Sequence, residues 1–192
     1  MRFTRSPSPR HAQGMSLLEL VVVIGKAGRH IRREDALSYV AGYTIANDIT
    51  NRDQIWRRDD MKAMGTDWIA GKSSPTYLPL GPYLVPAAFA GNPQDLRLKL
   101  KLNGEVKQEG STDEMEWDMH YLVADLARTI TLVPGDMIYS GTPANSRPVQ
   151  PGDVVEVEVD GLGRLTNTIV EGPTPIRTDV GAQPTSSEEV GS

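Results

Sequence analysis

The 192-residue chain contains no cysteine. Disulfide scaffolds, thiolate zinc sites and thiol nucleophiles are therefore excluded. It has no Lys/Arg block longer than a pair, and its 20 basic residues face 25 acidic ones, for a formal charge of −5. A nucleic-acid groove needs a concentrated basic field, so no nucleic-acid partner is expected. A long apolar run is missing too. The longest, Leu17 to Ile24, is interrupted by Glu19, whereas a transmembrane helix needs about 20 apolar residues. The same carboxylate, with no small-x-small cleavage site nearby, argues against a secretory signal. A cytoplasmic protein with no membrane span is the resulting expectation. No internal repeat occurs at solenoid periods. The length suits one domain, and a globule of this size buries roughly 70% of the surface its unfolded chain exposes.

What is present divides the chain in three. Residues 1–16 carry Arg2, Arg5 and Arg10 and read as a disordered leader, and residues 172–192 mix Pro, Thr, Ser, Gly and Glu and read as a disordered tail. Residues 17–171 form the domain. Within it, Leu20 to Ile24 is a β-branched run closed by Gly25, the pattern of a strand buried on both faces. Arg33 to Val40 suits a short helix with Gly42 just past its end, and Tyr43 to Ile49 a strand. Leu96, Leu98, Leu100 and Leu102 alternate with polar residues ahead of Asn103-Gly104, which predicts a hairpin with a type I′ turn. A second hairpin is expected around Asp160-Gly161. Ser111 and Glu114 make a capping box ahead of Met115, Met119, Leu122, Val123, Leu126 and Ile130, which recur at helical spacing. Pro134-Gly135-Asp136 and Pro151-Gly152-Asp153 signal turns leading into strands. The sum is a β-rich α+β domain with a few short helices and one longer one.

Few residues here point to chemistry. Glu19 sits between Leu18 and Leu20 on the most hydrophobic strand, where an unpaired charge costs several kcal/mol. Asp48 closes the next strand. A hard cation with oxygen ligands, Mg²⁺ for example, would answer both desolvation problems; a Glu19–Arg pair and an Asp48 turn cap are the plainer answer from these residues alone. Lys72, after Gly71, could set its ammonium against a developing oxyanion or be a solvated surface lysine. Thr142, in Gly141-Thr142-Pro143 at a strand end, could meet a carboxylate with its hydroxyl or belong to a plain turn. Arg52 could clamp a carboxylate bidentately or pair with Asp53.

Taken in order, Glu19 to Lys26, Ala41 to Asp48, Arg52-Asp53, Gly71-Lys72-Ser73, Pro79-Leu80-Gly81-Pro82, Pro134-Gly135-Asp136, Ser140-Gly141-Thr142-Pro143 and Pro151-Gly152-Asp153 resemble the fumarylacetoacetate hydrolase family, in its C-terminal catalytic domain. The resemblance implies a mixed β-roll, often a homodimer, in which Mg²⁺, Mn²⁺ or Ca²⁺ chelates a small 2-oxo acid of the acylpyruvate type. It further implies hydrolysis of a C–C bond through a metal-bound enolate, or isomerisation or decarboxylation of related acids, as in aromatic catabolism. By position, Glu19 resembles the second Glu of the family's Glu-x-Glu pair and Asp48 the third metal ligand. Lys72 resembles the lysine that neutralises the enolate, Arg52 the arginine near the substrate and Thr142 the hydroxyl that holds its carboxylate. The pair's first Glu falls at position 17, where this chain has Leu17, and the family's upstream segment with its mobile His and Glu has no counterpart ahead of it.

Two further readings compete. An inactive module of the same fold could bind oxo acids or dimerise. Gly14 to Glu19 behind a basic leader also resembles the cleavage signal of type IV pilins, which would make the chain a filament subunit; the apolar run is too short for a pilin's membrane helix.

Overall fold

The computed structural model describes residues 2–5 (backbone), 14–55 and 63–171. Its strands are β1 (Arg2–Arg5), β2 (Gly14–Ile24), β3 (Val40–Asn51), β4 (Leu80–Pro86), β5 (Arg97–Leu102), β6 (Glu105–Ser111), β7 (Met137–Tyr139), β8 (Arg147–Val149), β9 (Val154–Val159) and β10 (Gly163–Glu171). Two α-helices, α1 (Trp68–Lys72) and α2 (Met119–Thr129), and several 3₁₀ turns complete the described residues. One sheet runs β1-β10-β9-β5-β6; the other runs β4-β3-β2-β7, with β8 also pairing β2. β1 lies parallel to β10 and the remaining pairs are antiparallel. This is the mixed, β-rich α+β architecture the sequence implied.

The strand read at Leu20 to Ile24 is longer than its apolar run. Gly14–Ser16 belong to β2, paired with both β3 and β8, and Ser16 is buried with its hydroxyl donating to Asn47 Oδ1 at 2.6 Å. These residues, and Arg2–Arg5 in β1, were expected in a disordered leader; a polar strand end that finds cross-strand partners carries no apolar signal. The rest of the leader and the tail lie outside the described residues. A strand at Gly14–Ile24 also sets aside the pilin reading, which needs a helix there. Leu18, Leu20, Val22 and Ile24 enter the main core with Leu98, Leu100, Val155, Val157 and Val159. By strand alternation Leu17, Glu19 and Val21 occupy the opposite face of β2, and they too are buried.

The two hairpins form where turn chemistry placed them. Asn103 and Gly104 both have positive φ, 53° and 82°, as a type I′ turn requires, and β9 returns as β10 through Gly161 and Gly163, also at positive φ. In both Pro-Gly-Asp turns the Asp side chain takes a backbone N–H: Asp136 from Val133 at 2.7 Å and Asp153 from Gln150 at 2.8 Å. The longer helix is shorter than its periodicity. The Ser111/Glu114 capping box closes a 3₁₀ turn at Thr112–Glu114, and α2 begins at Met119 under Asp118, which accepts from Tyr121 N–H. The Met119 N–H donates to Gln94 Oε1 at 3.1 Å, so a distant side chain fixes the start. The short helix expected at Arg33 to Val40 is a 3₁₀ helix at Arg33–Tyr39, and Gly42, past its end, already belongs to β3. A Cβ there would meet the Val85 carbonyl oxygen at 2.2 Å, so its absence lets β4 approach.

Candidate active site

Glu19 and Asp48 reach one place because β2 and β3 pair in a specific register. Leu17 lies opposite Asp48 and Glu19 opposite Ala46, which puts Leu17, Glu19, Ala46 and Asp48 on the same face, away from the main core. Tyr139 joins them, since β7 pairs it with Val21. With Lys72, Ser73, Ser74, Thr76, Tyr77, Leu78 and Gly141 these acids line a cavity of about 740 Å³.

Lys72 arrives through α1. Asp67 caps the helix by accepting from Ala70 N–H at 3.0 Å, and Gly71 packs so closely that a Cβ would lie 2.2 Å from Ile55 Cγ2. The Lys72 Nζ forms an ion pair with Asp48 Oδ2 and stands 5.9 Å from the Trp68 ring centroid. Helix propensity alone makes Gly71→Ala stabilising by about 1 kcal/mol; overpacking costs about 1–3 kcal/mol. We expect the packing cost to win and the variant to melt at lower denaturant; a midpoint at or above wild type would contradict the close seating of α1.

Glu19 is 6% exposed. Burial, the largest influence, pushes its carboxyl up to about 7, and the nearby Asp48 charge adds to this; the Gly141 N–H and the Lys72 charge act in the opposite sense. The Gly141 N–H donates to Glu19 Oε2 at 2.7 Å, from a backbone at φ 101° that suits glycine. Burial likewise raises the Tyr139 phenol, with Asp48 and Glu19 contributing.

The loop carrying Gly141 exists because of a gap in a ladder. β8 pairs β2 at Gly14–Ser16 and β7 pairs it at Val21–Val23. Between them, residues 140–146 swing past Leu17–Leu20 of β2, tied by Ser140 N–H to Leu20 O at 3.0 Å. Thr142 is exposed on this loop and lines a neighbouring cavity of about 520 Å³ that shares Gly141 with the first.

The structure thus brings together Glu19, Asp48 and Lys72 in one cavity, with Thr142 next door. Arg52 is exposed on the 3₁₀ turn after β3 and is not among the residues that line that cavity. The Asp53 side chain lies outside the described residues. Sequence reading missed Tyr139 and Gln108. The first signals itself only once β7 is paired with β2; the second is a polar residue on an otherwise ordinary strand, yet 2% exposed.

Two carboxylates on adjacent strands supply hard oxygen donors that suit Mg²⁺ or Mn²⁺, which keep waters or substrate oxygens in their remaining positions. No group of three or more His, Asp or Glu able to hold a metal occurs among the described residues, and the residue paired with Asp48 across the strands is the apolar Leu17. Glu19 and Asp48 are the two carboxylates lining this cavity, and Asp48 is paired with Lys72. Among the described residues no helix is long and apolar enough to cross a membrane.

Comparison with known proteins gives a consistent picture. The family model for the fumarylacetoacetate (FAA) hydrolase C-terminal domain matches residues 8–170. The chain is 39% identical over 160 residues to human mitochondrial oxaloacetate tautomerase FAHD2A, covering 80% of this chain and 49% of that protein. It is 40% identical over 158 residues to the Escherichia coli 4-hydroxyphenylacetate degradation bifunctional isomerase/decarboxylase, covering 81% and 35%. The chain therefore spans about half or less of these curated relatives. Among solved structures, fumarylpyruvate hydrolase from Pseudomonas aeruginosa, in complex with Mn²⁺ and pyruvate, superposes with a TM-score of 0.79 at 32% identity, covering 89% of this chain and 72% of that one. The 2-hydroxyhepta-2,4-diene-1,7-dioate isomerase from Mycobacterium marinum gives 0.76 at 34%, covering 90% and 63%.

Proposed function

This chain belongs to the fumarylacetoacetate hydrolase family, and from that premise we propose that Glu19 and Asp48 hold a divalent cation of the Mg²⁺ or Mn²⁺ class and that the site binds a small 2-oxo acid. The reaction class is hydrolytic C–C cleavage of an acylpyruvate, with isomerisation or decarboxylation as the related outcomes of the same electron flow. The observation that carries the reading is the burial of Glu19 beside Asp48, two acids facing one cavity whose lining lysine, Lys72, pairs with Asp48.

A cation bound there supplies Lewis acidity toward a keto oxygen. The chain's own residues do the rest. The Lys72 ammonium, now on Asp48, is close enough to turn toward negative charge developing on a bound oxygen, where it counts more than in water because the site is partly desolvated. Gly141 N–H holds the Glu19 carboxylate in its acceptor orientation. Thr142 offers a hydroxyl to the substrate carboxylate from the adjoining cavity.

Calorimetric titration with Mg²⁺ and with Mn²⁺ is expected to give binding heat with wild type and none with Asp48→Ala; equal heats from the two proteins discard the site. Loss of enol absorbance from an acylpyruvate then separates an enzyme from a binding module. That second reading, an oxo-acid-binding module without turnover, is favoured by Leu17, which leaves the cation fewer anionic ligands. Self-association into a homodimer belongs to the same proposal and is supported by Tyr83, Leu84 and Phe89, which stand 68%, 52% and 78% exposed on β4 and the turn after it.

A further inference from the structure

Gln108 sits on β6, in the sheet that does not hold the acid pair, yet its side chain reaches the ladder gap beside Glu19. Its Oε1 accepts the Leu18 N–H at 3.4 Å, one of the backbone donors that the break between β7 and β8 leaves without a strand partner on that side. Its two Nε2 protons face three acceptors, Pro143 O at 2.6 Å, Ala144 O at 3.2 Å and Thr142 Oγ1 at 3.2 Å, so one proton is shared.

These partners fix which end of the amide is which. Leu18 N–H can only donate, and the carbonyls of Pro143 and Ala144 can only accept; the flipped amide would set oxygen against two oxygens and N–H against N–H. Nε2 is therefore a donor to Thr142. A threonine hydroxyl that accepts on this side keeps its own proton for something else, and Thr142 is exposed to the cavity that adjoins the acid pair. An ionised carboxylate is acceptor-only and takes such a proton.

We infer that Gln108 is a positioning residue: by occupying one lone pair of the Thr142 hydroxyl it orients the O–H proton toward the cavity, where it donates to a ligand carboxylate. The inference rests on the proposed 2-oxo-acid site and adds the residue that sets the polarity of its carboxylate contact. A merely structural Gln108, filling the gap in the ladder, would make the same contacts but would not act through Thr142.

The test is pyruvate titration followed by NMR in saturating Mg²⁺, on the full chain. Thr142→Val and Gln108→Met are each expected to weaken pyruvate roughly tenfold, the scale of one hydrogen bond to a charged group. The double variant should be no weaker than the weaker single, because both remove one interaction. Thr142→Ser, which keeps the hydroxyl, should stay within about threefold of wild type. Mg²⁺ affinity without pyruvate should be unchanged in all of them. If Gln108→Met does not fold, Gln108→Leu completes the cycle, since it also removes the Nε2 donor and introduces no titratable group. Wild-type pyruvate affinity in a Gln108 variant overturns the inference, as do single losses that multiply in the double variant. A parallel fall in Mg²⁺ affinity marks Gln108 as structural and overturns it too. Wild type that binds Mg²⁺ but not pyruvate overturns this inference and leaves the cation site standing. Pyruvate binding that depends on Thr142 and Gln108 but not on Mg²⁺ keeps the inference and ends the cation reading. No binding of either probe ends both.

Discussion

In chelator at pH 8, Glu19→Gln is expected to unfold about 6–12 °C above wild type. Folding raises the Glu19 carboxyl from 4.5 to about 7, chiefly by burial, so the native state holds the proton more tightly than the unfolded chain. The sign follows from linkage. The contribution of this group is fully present below pH 4.5, where both states are protonated, and is lost as pH rises through 7; at pH 8 the loss is roughly 3 kcal/mol. Glutamine removes the titration and can still accept the Gly141 N–H that Glu19 now takes. Melting curves from pH 4.5 to 8 should therefore diverge with rising pH and meet at the acid end. Excess Mg²⁺ should narrow the difference by stabilising wild type alone, because a ligand that binds only the native state raises its stability by mass action. Curves that stay parallel across the pH range would show that Glu19 does not carry an uncompensated buried charge. The cost of keeping this carboxylate is thus separable from its use.

Leu17→Glu should make the fold depend on the cation. Leu17 is buried, stands directly across from Asp48 and lies two residues from Glu19 on the same face of β2, so a carboxylate there joins the other two. Without metal, a third buried acid costs several kcal/mol, and the variant should melt well below wild type. With Mg²⁺ or Mn²⁺ the same group becomes a ligand, and affinity should rise by at least the roughly 10- to 100-fold that outer-shell partners alone contribute to metal sites. Calorimetry and melting in the presence and absence of the ion read both halves. An unchanged dissociation constant would mean that position 17 does not face the acid pair and that the β2–β3 register is not as described. Recovery of stability with metal but without tighter binding would contradict the ligand role as well.

Much of this was written in local sequence. Asn103-Gly104 and Asp160-Gly161 mark hairpins because they supply the positive φ that such turns use, at Asn103, Gly104 and Gly161, and the Pro-Gly-Asp turns carry their own side-chain hydrogen bonds. The apolar run around Glu19 marks a strand buried on both faces because alternation disappears when neither face meets water. The ordered series of short motifs pointed to the family, and with it to Glu19, Asp48 and Lys72 as neighbours. Capping chemistry was a weaker guide: two acceptable caps, Ser111 and Asp118, precede the longer helix, and Gln94 from outside it decides where the helix starts.

What remained was settled by pairing between distant segments. Strand register sets which side chains share a face, and a slip of one residue would have turned Glu19 into the core and away from Asp48. The seating of Gly71 against Ile55 carries Lys72 to Asp48, while the turn after β3 leaves Arg52 outside the cavity. The gap between β7 and β8, filled by Gln108 from the other sheet, shapes the loop of Gly141 and Thr142. A chain's own order encodes turns and burial, since those depend on neighbours in sequence; the meeting of two acids, a lysine and a hydroxyl depends on contacts between residues far apart along it, which only the folded sheets supply.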